Sequence, residues 1–203
     1  MAITPVSIRI AAETDAGQLL QIYAPYVRDT AVSFEYTVPS VDEFQKRIRL
    51  VLQHYPYIVA ERDGSIIGYS YASAFKERPA YCHSVEMTVY IRQNCRGQGA
   101  GRILYDGMER ILRLQGILNM NACIGYTSRE HDVHLTNASM HFHERMGFRL
   151  VGRFTACGYK FGEWYDMIWM EKLIDIHGPA VPVFRPFPDI MAACGLPYVA
   201  AAS

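Results

Sequence analysis

Residues 84–116, SVEMTVYIRQNCRGQGAGRILYDGMERILRLQG, constrain this chain more than any other stretch. Val85, Met87, Val89 and Ile91 alternate with Glu86, Thr88 and Tyr90, the period of a half-buried strand. Arg96, Gly97, Gln98, Gly99, Ala100 and Gly101 follow, with three glycines in five positions. Apolar residues then recur at Ile103, Leu104, Met108, Ile111, Leu112 and Leu114, close to the helical period. A glycine-rich turn that feeds a helix leaves N–H groups unpaired at the positive end of the helix dipole, which is a place for phosphate. Spacing narrows the ligand. Arg102 and Ile103 stand where a P-loop needs Lys and then Ser or Thr, and GxGxG is not the dinucleotide spacing GxGxxG. On this stretch alone, a glycine turn without a ligand remains the alternative.

The rest of the composition excludes several classes. The 203 residues allow one domain with a sizeable core, or a domain with an extension. Twenty basic residues balance twenty acidic ones, so no net field draws the protein to nucleic acid or to an anionic membrane. No apolar run approaches the length of a membrane span, and the N-terminus reads straight into a strand rather than a signal peptide; a cytoplasmic location is expected. The five cysteines (Cys82, Cys95, Cys123, Cys157 and Cys194) are scattered and never spaced CxxC, which argues against zinc and against a disulfide framework.

Read in order, residues 6–10 form a short strand. Thr14 or Asp15 caps a helix with Leu19, Leu20, Ile22, Tyr23 and Val27 on its apolar side, bent or ended by Pro25. Ser40 and Glu43 make a capping box for a helix over 41–53. Strands at 57–61 and 66–73 join at Asp63-Gly64, a strong hairpin signal. After the strand and helix of the opening stretch come a strand at 120–126, a helix over 137–146 ended by Gly147, and strands at 149–157 and 164–170 around a 158–162 turn. The order is βααβββαβαββ. Residues 178–203 hold five of the ten prolines and two charges, Arg185 and Asp189. That composition excludes a helix, yet it is too apolar for a solvated tail, so an arm packed on its own domain or on a second subunit is expected.

Several motifs occur in a fixed order: SFE at 33–35, KxRxAY at 76–81, VExTVYI at 85–91, RxxGxG ending at Gly101, HExxGF at 143–148 and GYKFGEWYD at 158–166. Over residues 6–174 the chain resembles the GNAT N-acetyltransferases, and within them the phosphinothricin/methionine sulfoximine acetyltransferase branch. The resemblance implies an α/β (α+β) GNAT fold: a mixed, mostly antiparallel sheet flanked by helices and splayed between strands 4 and 5. It divides the chain into a GNAT domain at 1–176 and a Pro-rich extension at 177–203. It also implies acetyl-CoA as co-substrate, with direct transfer to the amino group of a small amino acid or analogue. Another amine acceptor (a polyamine or a protein N-terminus) and an acyl-CoA-binding module without turnover are the alternatives.

Site roles follow from the same resemblance. Arg96, Gly97, Gln98, Gly99, Ala100 and Gly101 hold the coenzyme A pyrophosphate. The backbone of Val89, Tyr90 and Ile91 pairs with the pantetheine arm, and an N–H there polarises the thioester carbonyl. Glu86 matches the general base, because an amine attacks only after losing its proton; otherwise it is a solvent-facing strand glutamate. His143 occupies the place of the acid that protonates the departing thiolate, as an imidazolium; otherwise it is a structural histidine. Asn137 binds the coenzyme through its amide, although it stands one place late for the family's Asn-x-Ala-Ser, or else it caps its helix. Arg78, Tyr81, Phe34 and Glu35 recognise the substrate, Arg78 as a bidentate partner for a carboxylate; Arg78 as a solvated loop residue and Phe34 as an ordinary core aromatic are the alternatives. No metal is expected, since His131, Asp132 and His134 lack a completing ligand. The relatives are homodimers, and a homodimer without nucleic-acid or membrane partners is expected here too.

Overall fold

The computed structural model describes residues 5–198. Seven strands form one sheet: β1 (Ser7–Ile10), β2 (Tyr57–Arg62), β3 (Ser65–Ala74), β4 (Ser84–Ile91), β5 (Asn119–Tyr126), β6 (Arg149–Lys160) and β7 (Glu163–Leu173). The helices are α1 (Ala16–Asp29), α2 (Val41–Leu52), α3 (Ala100–Gln115), α4 (Ala138–Arg145) and a single turn, α5 (Phe187–Ile190). The strand order is β1-β2-β3-β4-β5-β7-β6, antiparallel throughout except for β4 against β5. The mixed, mostly antiparallel sheet implied by the resemblance is thus the sheet observed.

Each face of the sheet has its own core. On one face α1 presents Leu19, Ile22, Tyr23, Tyr26 and Val27, three or four residues apart, together with Phe44 and Ile48 of α2. On the other, α3 packs Leu104, Tyr105, Met108, Ile111 and Leu112 against β2, β3 and β4. Pro25 does not end α1, which continues to Asp29. Ser40 Oγ accepts from Glu43 N at 3.1 Å, the cap read from the sequence. The β2–β3 hairpin turns at Asp63 and Gly64, with φ of 52° and 72°. That is the left-handed pair a two-residue turn requires.

Two local expectations are corrected. The last hairpin turns at Phe161 and Gly162, with φ of 54° and 77°, so its strands are longer than the pattern suggested. A bulky residue in left-handed backbone carries no turn signal. Residues 178–198 are not free of helix, since Phe187–Ile190 form one turn. Pro188 lies in that first turn, where a missing N–H costs nothing.

The arm itself packs on its own chain. Phe187 is fully buried and Ile190 nearly so. Gln115 of α3 donates through Nε2 to the carbonyls of His54 and Arg185, both at 2.9 Å. Pro197 O accepts from Ile10 N at 2.9 Å, beside the edge strand β1. Burying two such apolar side chains contributes about 1.5–3 kcal/mol each, enough to hold a short segment.

Candidate active site

The sheet is built to open at its centre. β4 and β5 pair in parallel over only three positions, Ser84–Asn119, Val85–Met120 and Glu86–Asn121. At the point of divergence Asn121 Nδ2 donates to Val85 O at 3.1 Å, a side chain standing in for the ladder. Tyr26 donates its hydroxyl to Ile91 O at 2.6 Å. Successive peptide groups of a strand alternate edges, so Met87 and Val89 present theirs to the same open side as Val85 and Ile91. Beyond Glu86 no strand of the sheet pairs with that edge of β4.

A cavity of about 610 Å³ occupies the gap. One wall is Glu86, Met87, Thr88, Val89 and Tyr90; the other is Ala122, Cys123, Ile124 and Gly125. Phe34 and Glu35 close one end, and Tyr105, Ser139 and His143 stand at another. The structure therefore brings together Glu86, Val89, Tyr90, His143, Phe34 and Glu35 from the sequence reading. Arg78 and Tyr81 are exposed and do not line this cavity. Their loop folds outward, with Phe75 edge-on to both Tyr81 and Trp169 and Lys76 Nζ over the Trp169 ring. The substrate role expected for these two residues finds no support in their position.

Glu86 is half-buried, and burial raises its pKa above the ordinary carboxylate value while the nearby Lys76 ammonium partly offsets the rise. Cys123, an exposed free thiol in the same wall, has its pKa raised by partial desolvation first and by Glu86 second. His143 is only 3% exposed. Its Nδ1 faces Ser139 O at 2.7 Å and its Nε2 meets the Tyr105 hydroxyl at 2.8 Å. A carbonyl only accepts, so the ring proton is on Nδ1 and the phenol donates to Nε2. Burial lowers the imidazole to about 4, the Ser139 carbonyl opposing it. The expected imidazolium is thereby corrected: at neutral pH His143 is an uncharged ring with both nitrogens engaged. Tyr105 was not singled out in the sequence, and no motif marks it; its contact with His143 comes from a residue 38 positions away. Burial raises its pKa, so it stays a phenol.

The glycine turn adjoins the open end of β4. Gly97 and Gly99 have φ of 73° and 87°, and a Cβ at either would meet nothing within 4 Å. Conformation, not space, requires glycine there. Gly99 precedes α3 without a side-chain cap, so the first-turn amides of Ala100 and Gly101 remain available. Gly101 serves differently: a Cβ there would lie 3.1 Å from Phe142, so glycine lets α4 approach. Arg96 lies over the Tyr26 ring at 4.8 Å, and Gln98 is held by Arg62 and by Asn94 O. Asn137 pairs with the Thr127 backbone. Its Nδ2 donates to Thr127 O at 2.9 Å, and its Oδ1 accepts from Thr127 N at 3.2 Å. It clasps the loop before α4 and makes no side-chain cap, which corrects the capping reading of its amide. Among the described residues no group of three or more His, Cys, Asp or Glu side chains could hold a metal, and no helix is long and apolar enough to cross a membrane.

A sheet split between two parallel strands, with a glycine turn and a helix N-terminus at its open end, makes a cleft for an extended ligand that carries phosphate at one end. Residues 8–169 match the Acetyltransferase (GNAT) domain family, and the chain belongs to it. The chain is an acyltransferase with the GNAT fold. It is 33% identical over 179 residues to a phosphinothricin N-acetyltransferase of Alcaligenes faecalis, covering 87% of this chain and 86% of the relative. An L-methionine sulfoximine/L-methionine sulfone acetyltransferase of Pseudomonas aeruginosa is 30% identical over 174 residues, covering 83% and 95%. Among solved structures, a phosphinothricin acetyltransferase of Sinorhizobium meliloti in complex with AcCoA superposes with a TM-score of 0.80 at 31% identity, covering 91% and 96%.

Proposed function

We propose that this protein transfers the acetyl group of acetyl-CoA directly to the amino group of a small α-amino acid or analogue of the phosphinothricin or methionine sulfoximine type. The observation that carries this reading is the half-buried Glu86, standing where β4 and β5 part, on a strand whose next peptide groups face the gap. The relatives' named activities support the acceptor class.

In this reading the amides of the 97–101 turn and the start of α3 receive the coenzyme A pyrophosphate. The unpaired Val89 edge of β4 receives the pantetheine arm and points an N–H at the thioester carbonyl. Glu86 accepts a proton from the substrate ammonium, and the neutral amine attacks the carbonyl. The C–S bond breaks as the amide forms, and the amide nitrogen loses its second proton as the thiolate gains one. His143 carries no spare proton near pH 7, so water protonates the thiolate while His143 fixes the Tyr105 hydroxyl in the cavity wall.

The proposal includes a homodimer. Leu150, Val151, Phe154 and Trp164 of the β6–β7 hairpin are each more than half exposed, an apolar band suited to a second copy. A monomeric mass in solution removes the dimer. The activity is tested by thiol release from acetyl-CoA with a panel of amino acids, methionine sulfone, methionine sulfoximine, phosphinothricin and polyamines. Turnover is expected with the amino acid analogues. Release confined to polyamines overturns the acceptor class, and failure of acetyl-CoA to raise the melting temperature overturns the donor assignment as well.

A further inference from the structure

The motif GYKFGEWYD contains a lysine that the reaction does not use. Lys160 ends β6 and is only 4% exposed. Its ammonium donates to Val27 O at 2.8 Å, Thr30 O at 2.9 Å and Ser33 O at 2.6 Å, which occupies all three protons. The Val27 carbonyl belongs to the last turn of α1, where no intrahelical donor reaches it and where a cation is favoured by the helix dipole. The other two carbonyls belong to the loop that carries Phe34 and Glu35 into the cavity.

Two neighbours on the same hairpin grip the same loop. A Cβ on Gly158 would lie 2.4 Å from Phe34 Cε2 and 2.6 Å from its Cζ, so the Phe34 ring rests directly on the strand backbone. The Tyr36 hydroxyl donates to Tyr159 O. Residues 158, 159 and 160 thus each hold a different part of the 33–36 segment, more than a hundred positions away in sequence. An uncharged side chain of similar length fills the Lys160 site at a lower desolvation cost. What the ammonium adds is direction, three carbonyls fixed around one point.

We propose that Lys160 is a positioning residue for acceptor binding: it sets the 30–36 loop, and with it Phe34 and Glu35, against the Glu86 side of the cavity. The inference rests on the acetyl-transfer reading only for its kinetic consequence. Misplacing groups by an ångström far from the chemistry costs up to about a hundredfold. Lys160→Met in the full chain is therefore expected to raise KM for the acceptor amine roughly ten- to a hundredfold. The melting-temperature rise produced by acetyl-CoA stays that of the parent chain, because the 97–101 turn is untouched. Amide hydrogen exchange quickens in residues 30–36 and not in the glycine turn.

Unchanged exchange in that loop, or loss of acetyl-CoA binding in parallel with the amine, overturns the proposal. Should the parent chain acetylate none of the amines, the acetyl-transfer reading fails, while the exchange measurement still decides the role of Lys160. Should Lys160→Met not fold, Gly158→Ala displaces Phe34 with the ammonium in place. A raised amine KM with intact acetyl-CoA binding then upholds the grip of the hairpin on the loop, and unchanged values for both overturn it.

Discussion

The two sides of the cavity are built in opposite ways. The donor side is continuous in sequence: β4, the glycine turn and the start of α3 occupy residues 84–101, and their function depends on backbone conformation and unpaired amides. The acceptor side is assembled from distant pieces. Phe34 and Glu35 come from the loop after α1, Glu86 from β4, and the residues that hold the loop from the β6–β7 hairpin. A donor site made of main chain tolerates side-chain variation around it, whereas an acceptor site made of remote side-chain contacts is retuned by changes far from the substrate. The kinetic signature that separates the two sides is which KM moves.

The largest effect is expected at the point where both sides meet. Glu86→Gln removes the proton acceptor but keeps the shape of the side chain, so kcat/KM for the amine falls about 10²–10⁴-fold near neutral pH with acetyl-CoA binding intact. Full activity of this variant across pH 6–9 sinks the general-base assignment. The acid limb of the parent profile is expected above the ordinary carboxylate range, because burial raises Glu86 and Lys76 only partly offsets it. Lys76→Met removes that offset and moves the limb further up in pH; a limb that moves down contradicts the pairing.

His143 belongs to the shared wall and is expected to affect stability more than either KM. Its folded-state pKa of about 4 lies below the ordinary imidazole value of 6.5 that applies to the unfolded chain. The unfolded state therefore takes up the proton first as pH falls. The stability this group contributes is complete above pH 6.5 and is lost between 6.5 and 4, roughly 3 kcal/mol in all. Urea titrations of the parent and of His143→Gln over that window check this, the variant losing less by about that amount. Parallel curves mean that the imidazole titrates normally and is free to act as an acid.

What the sequence showed and what it hid follow the same division. The strand, turn and helix of 84–116 were legible because period, glycine spacing and helix start are all local. The Asp63-Gly64 hairpin was legible for the same reason; the last turn was placed within 158–162, but its tight two-residue form at Phe161 and Gly162 was not, since a bulky residue in left-handed backbone carries no turn signal. Burial cannot be read from one sequence. For that reason His143 was read as an imidazolium or a structural histidine, and Tyr105, its partner, was not singled out. Arg78 and Asn137 were carried over on motif position, yet Arg78 lies on an outward loop and the Asn137 amide pairs with the Thr127 backbone. Lys160 was visible within a motif but not interpretable, because its three carbonyl partners lie more than 120 residues away.

The smallest effect tests the donor side in isolation. Gly99 has φ of 87° and open space around the missing Cβ, so Gly99→Ala meets no clash and pays only for left-handed backbone. That cost is about 1–2 kcal/mol, which the turn relieves by rotating its peptide planes and re-aiming the first-turn amides of α3. KM for acetyl-CoA is expected to rise about five- to tenfold while KM for the amine stays within twofold, the mirror image of the Lys160→Met result. An unchanged acetyl-CoA KM means that the turn amides do not hold the pyrophosphate. Combining the two substitutions sharpens the comparison further. If the sides are independent, the defects in the double variant multiply, each on its own substrate. A departure from that product locates a coupling between the glycine turn and the acceptor loop. Tyr26 is the residue to alter next in that case, because its ring lies under Arg96 and its hydroxyl bonds Ile91 O, while its own carbonyl accepts from Thr30 Oγ1 at the start of the loop.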